Sequence, residues 1–166
     1  MRKIGQFFLT LLTIAFFTNC EKDDICVDGD TPLLVIRFFD ANNPTEFQDV
    51  PDLEVIALNP DNTVLDTIAN ASLDSIAIPL RIEGNTTTFI LSQNLTSTDD
   101  TTINRDTLTF NYETMEVFIS RACGFVANYD DLTDNLTLDD DNWIQEIQTD
   151  TLVVENSASA HVQIFH

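Results

Sequence analysis

The sequence predicts an all-β fold: a single antiparallel β-sandwich, immunoglobulin-like or transthyretin-like, of about eight to nine strands behind an N-terminal signal helix. Three observations point there. From Leu33 onward, short β-branched or aromatic runs alternate with clusters of Asp, Asn, Pro, Gly and Thr. Leu108, Phe110 and Tyr112 interleave with Thr107, Thr109 and Asn111, the two-residue period of a strand buried on one face. No stretch holds helical spacing for three turns, and the best candidate, from Asp141 to Ile147, amounts to a single turn.

Taken in order, the first strand is expected over residues 33–39, an apolar run ending at Asp40. Strands over 53–58 and 64–68 flank the turn cluster Asn59-Pro60-Asp61-Asn62. Strands over 76–82 and 86–91 flank Glu83-Gly84-Asn85, a tight-turn sequence. The alternating run 107–112 and the apolar run 115–121 read as two further strands. The last two, 144–154 and 160–165, are separated by a turn at Asn156-Ser157. No internal repeat is visible.

The segment ahead of these strands has a different chemistry. Met1-Arg2-Lys3 is basic, and residues 4–17 are mostly apolar. That run falls short of the roughly 20 residues a membrane-spanning helix needs, but suits a secretory signal. The run leads to Phe17-Thr18-Asn19-Cys20 and turns acidic at once. An apolar run ending on a Cys resembles the lipobox of bacterial lipoproteins, with Phe17 and Asn19 in place of the usual Leu and small residue. The resemblance implies that residues 1–19 are removed and that Cys20 carries a diacylglyceryl group. Several acyl chains anchor a protein far better than one. Residues 20–31 then form an acidic tether and 32–166 the β domain. With Cys20 lipidated, Cys26 and Cys123 remain as an even pair in an oxidising compartment, which predicts a disulfide; two separate buried thiols are the alternative.

Two Cys-containing blocks carry a second resemblance. The first runs from Cys20-Glu21-Lys22-Asp23-Asp24-Ile25-Cys26 into Thr31-Pro32-Leu33-Leu34-Val35-Ile36-Arg37-Phe38-Phe39-Asp40; the second is Phe118-Ile119-Ser120-Arg121-Ala122-Cys123-Gly124. Together they resemble a family of small Bacteroidota lipoproteins, domain of unknown function number six-four-five-two. The resemblance implies a β-rich domain in the cell envelope and brings no catalytic residues. Lys22-Asp23-Asp24 is also similar to the Lys-acidic-acidic signal that sends such lipoproteins to the cell surface.

Charge excludes several functions. The chain has 28 acidic and 7 basic residues, and removing residues 1–19 takes away Arg2 and Lys3, moving the net charge from −21 to −23. Nucleic acid is excluded as a partner, and an anionic membrane face repels the domain as a whole.

The remaining motifs have bland readings that outweigh sharp ones. The acidic run from Asp130-Asp131 through Asp139-Asp140-Asp141-Asn142 has hard oxygen donors but lacks the Gly and closing Glu of a calcium loop, so it reads as a solvated loop and no metal is expected. Asp66-Thr67-Ile68, Asp74-Ser75-Ile76, Asp100-Thr101-Thr102, Asp106-Thr107-Leu108 and Asp150-Thr151-Leu152 are similar to the O-glycosylation motif of exported Bacteroidota proteins, while Asp-Thr entering a strand is also ordinary turn chemistry. Arg37, Arg81 and Arg121 fall inside expected strands and read as partners of nearby Asp side chains rather than an anion grip. His161 and His166 fall on opposite faces of the last strand and make no metal pair. No phosphate loop, nucleophile elbow or zinc-helix motif is present, so neither catalytic residues nor a cofactor are expected. The function expected is an accessory module anchored on the outer membrane, docking on an outer-membrane barrel or its assembly machinery. The alternative is a surface lipoprotein that binds a glycan or peptide.

Overall fold

The structure, a computed structural model, describes Cys26 and residues 29–95 and 103–166. The expected signal helix, Cys20 with most of the tether, and the Asp100-Thr101-Thr102 triplet lie outside the described residues. Among those residues there are ten strands and no helix. They are β1 (Leu34–Asp40), β2 (Asn43–Phe47), β3 (Val50–Leu58), β4 (Val64–Leu73), β5 (Ser75–Ile78), β6 (Thr86–Gln93), β7 (Asn104–Ser120), β8 (Gly124–Leu136), β9 (Glu146–Thr149) and β10 (Val162–Phe165).

Two five-stranded sheets make the sandwich. One has the order β2-β1-β10-β9, with β5 also pairing β1; the other runs β4-β3-β6-β7-β8. Every pairing is antiparallel except β1 with β10, which run parallel from Ile36 opposite Val162 to Phe39 opposite Phe165. The expected antiparallel sandwich is borne out as a class, with this one parallel pair within it. After β8 the chain crosses to the other sheet, and the β9–β10 pair brings the last strand in beside the first, pointing the same way.

The inward residues follow the two-residue period. Leu34, Ile36 and Phe38 of β1 meet Val55 of β3, Phe89 and Leu91 of β6, Leu108 and Phe110 of β7, and Val162 and Ile164 of β10 in one buried cluster. Phe89 and Phe110 pack edge to face at 6.2 Å, and Tyr112 and Tyr129 do so at 5.0 Å.

Four expectations change. The runs 107–112 and 115–121 form one strand, β7, because Glu113 and Thr114 pair with Asp130 and Tyr129 of β8 just past a register shift between Asn111 and Glu113. The first half of the acidic run is strand: Tyr129 and Leu132 point inward, Asp131 sits at a bulge with φ 51°, and Asp134, on the Leu132 face, accepts the Thr149 hydroxyl at 2.7 Å. Residues 141–145 form no helical turn, and of the long run 144–154 only β9 and an isolated bridge at Val154 are paired. Arg81 and Arg121 lie in the connections after β5 and β7 rather than within strands.

Candidate functional site

Two surface features stand apart from the solvated acidic exterior. The first is the projecting end of the β7–β8 ribbon. Pairing of β7 with β6 ends at Asn111, so from Met115 to the turn β7 pairs only with β8. Inward burial ends at the same place, since Tyr112 is the last buried residue of β7. A three-residue connection, Arg121-Ala122-Cys123, closes the ribbon; Gly124 follows at φ 72°, where a left-handed residue completes the hairpin. Cys123 accepts the expected bond: Cys26 and Cys123 form a disulfide with Cα atoms 4.9 Å apart, across 97 residues of sequence. Gly29 packs against this bridge, and a Cβ there would lie 2.7 Å from Cys123 Cβ. Thr31 Oγ1 accepts the Ala127 N–H at 3.3 Å, laying the N-terminal segment along β8. At the end of the ribbon Phe118 and Phe125 face each other across the strands at 5.3 Å, 56% and 67% exposed.

The second feature is a groove of about 560 Å³ beside β4, lined by Leu65, Ile68, Pro79, Leu80 and Ile82 with Arg81 and Glu83 at its polar side. β4 pairs with β3 alone, so its outer edge is open among the described residues. It runs for ten residues without Pro or Lys and carries one charge, Asp66. Edges that avoid association use those residues, and β2, all exposed with Pro44 and Glu46, does so.

The groove wall is held by buried hydroxyls. Tyr129 donates to the Leu80 carbonyl at 3.0 Å and Tyr112 to the Arg81 carbonyl at 2.9 Å. Thr87 Oγ1 accepts the Arg81 N–H at 3.0 Å and, with the Tyr112 proton already committed, donates its own to Tyr112. Burial pushes the Tyr129 hydroxyl up to about 12, so it remains a donor across the physiological range.

The other sequence candidates go elsewhere. Arg37 meets Asp74 at 3.7 Å and stacks on the Phe47 ring at 4.4 Å. Arg81 lines the groove and Arg121 sits in the ribbon turn, so the three arginines occupy three different settings. His161 is buried, and its Nδ1 accepts the Val35 N–H at 3.0 Å; His166 packs on Trp143 and Phe38. Burial holds both imidazoles below the usual range. Asp106 is wholly buried, and its Oδ2 accepts the Ile144 N–H at 2.9 Å. Ser75 donates to the Ile36 carbonyl at 3.1 Å, while Thr67 is exposed on β4. Among the described residues no group of three or more His, Cys, Asp or Glu side chains is arranged to hold a metal.

The groove was not visible in the sequence, because Leu65 and Arg81 meet only through the pairings of β4 with β3 and of β3 with β6. The ribbon tip did leave a signal: Val117, Phe118 and Ile119 break the two-residue period just before Cys123.

No curated protein and no solved structure matches the chain. A family model does, over residues 52–166, so the Cys123 block falls inside the match and the Cys20–Asp40 block ahead of it. The match takes in the groove, all of the β4-β3-β6-β7-β8 sheet but Val50 and Pro51, and the whole β7–β8 ribbon, and the chain belongs to the family of unknown function DUF6452.

Proposed function

We propose that the chain is a lipid-anchored, non-enzymatic accessory protein of a bacterial outer membrane that works by binding a neighbouring envelope protein, a barrel or part of the machinery that assembles one. The observation that carries this reading is the open edge of β4. Val64 and Leu65 are 61% and 54% exposed there, beside an apolar groove whose wall is fixed by three hydrogen-bonding side chains. A strand edge offers N–H and C=O groups for strand addition, and an adjacent apolar groove takes alternate side chains of the incoming segment. The partner chemistry that fits is an extended apolar segment poor in acids, since the surrounding domain repels acidic chains.

Anchoring rests on the apolar run that ends at Cys20 and on the resemblance of that segment to lipoprotein signals. A domain held near one membrane surface meets partners in that membrane at raised effective concentration. A binding role is favoured over catalysis because His161 and the buried Asp106 are engaged in backbone hydrogen bonds.

A groove of this volume also suits a small ligand, so a surface lipoprotein that captures a peptide or glycan is the second reading. Crosslinked capture from native membranes separates the two. With the full-length lipoprotein as bait, one specific protein partner is expected, lost on Leu65→Lys, which charges the edge. No partner, with the same protein retaining a defined glycan or peptide, replaces the first reading with the second. Mass spectrometry of the mature N-terminus checks the anchor: a diacylglyceryl adduct on Cys20, absent from Cys20→Ala, is expected.

A further inference from the structure

We propose that the tip of the β7–β8 ribbon seats in the phospholipid surface to which the chain's own N-terminus is attached, with Phe118 and Phe125 entering the interface and Arg121 at the headgroups. The proposal rests on the anchored reading above and adds to it a second contact and an orientation. Geometry comes first. The disulfide ties Cys26 to the ribbon turn, and Cys26 follows Cys20 by six positions. Fully extended, six residues reach about 21 Å. The tip is therefore confined within roughly that distance of an acyl anchor on Cys20, whatever path the tether takes.

Chemistry agrees with the confinement. Phe118 and Phe125 form an exposed aromatic pair with no core beneath it, and Ile119 and Met115 are also exposed on the ribbon. Aromatic rings and apolar side chains beside a cation partition into the headgroup boundary. Charge, which argues against membrane contact for the domain as a whole, is lower along the tip strands themselves, while the acidic tether reaches the same turn through Cys26. From Val117 to Tyr129 there is no acid, and Arg121 lies at the turn. The opposite end of the same strand is different: beyond Leu136 come Asp139, Asp140 and Asp141. β8 has 13 residues, so its ends stand about 40 Å apart. The acyl anchor holds the tip at the surface while an anionic face repels the far end, which stands the ribbon upright.

The test uses the full-length lipoprotein on vesicles of phosphatidylethanolamine and phosphatidylglycerol, with and without brominated acyl chains. Phe125→Trp places a reporter at the tip. Leu138→Trp, at a position 82% exposed near the far end of β8, is the control, and native Trp143 is buried and constitutes a fixed background. The expected result is a blue-shifted tip emission quenched at least twofold by the brominated lipid, with the control unchanged. Equal, weak quenching at both positions on vesicle-bound protein overturns the proposal, as does a tip emission shielded by a protein partner. Flotation of Cys20→Ala separates the two ideas. A variant shown by mass spectrometry to lack residues 1–19 that still floats, with its tip quenched, removes the anchor and keeps the tip contact; a wild-type chain that floats with an unquenched tip keeps the anchor and removes the contact.

Discussion

Asp106 is a carboxylate without solvent exposure that fixes the crossing from one sheet to the other, because it accepts the Ile144 N–H at the approach to β9. Burial raises its pKa, opposed by the N–H groups of Ile144 and Trp143 and by the Asn142 side chain. Asp106→Asn keeps an oxygen for Ile144 and removes the buried charge, so urea unfolding should register little loss. Asp106→Ala orphans that N–H and should cost about 1–3 kcal/mol. His161 gives the matching test in pH. Its Nδ1 needs a lone pair to accept from Val35, and burial holds the folded pKa below the unfolded value of about 6.5. The unfolded chain therefore binds the proton first, and stability should fall as pH drops through about 6.5 toward the folded value, with His166 adding in the same sense. Asp106 acts in the opposite sense above the ordinary aspartate value of 3.8, where its native form holds a proton the unfolded chain has released. His161→Asn, with an amide oxygen for Val35, should flatten the slope between pH 7.5 and 5.5; an unchanged slope would assign it to other groups.

Among the elements, the β7–β8 ribbon depends most on a covalent tie. Closing a loop of 97 residues should stabilise the fold by up to ~4–5 kcal/mol on the chain-entropy model. Cys26→Ser with Cys123→Ser should lower the unfolding free energy accordingly in equilibrium denaturation, and a difference under 1 kcal/mol would contradict that role. Strands with a clean period were legible from sequence: β1, β3, β6 and the first half of β7 sit within a few residues of their expected ranges. β2 was not, because Asn43-Pro44-Thr45-Glu46-Phe47 is exposed throughout and offers no alternation. β8 was hidden by its acids, because Asp130, Asp131 and Asp134 break up the apolar run while Tyr129 and Leu132 carry the core contact and Asp134 is satisfied by Thr149. The parallel β1–β10 pair left no local trace, since 126 residues separate the partners Ile36 and Val162. The cysteine pair was legible by count alone; the groove needed the sheet.

For the molecule as a whole, charge and edge act together. A net charge of −21 makes the compact state repel itself, so added salt should raise the unfolding midpoint as repulsions beyond about 10 Å are screened at 0.1 M. The same field opposes pairing of two copies through β4, which is why the occupant proposed for that edge is a partner of different chemistry. A photo-reactive side chain at position 65 of the full-length protein, activated in native membranes, reads that edge without relying on affinity. One discrete protein adduct at position 65, absent when the same group is placed at the exposed position 138, is the result expected. No adduct at 65, or the same mixture at both positions, would mean that β4 is not where this protein meets its partner.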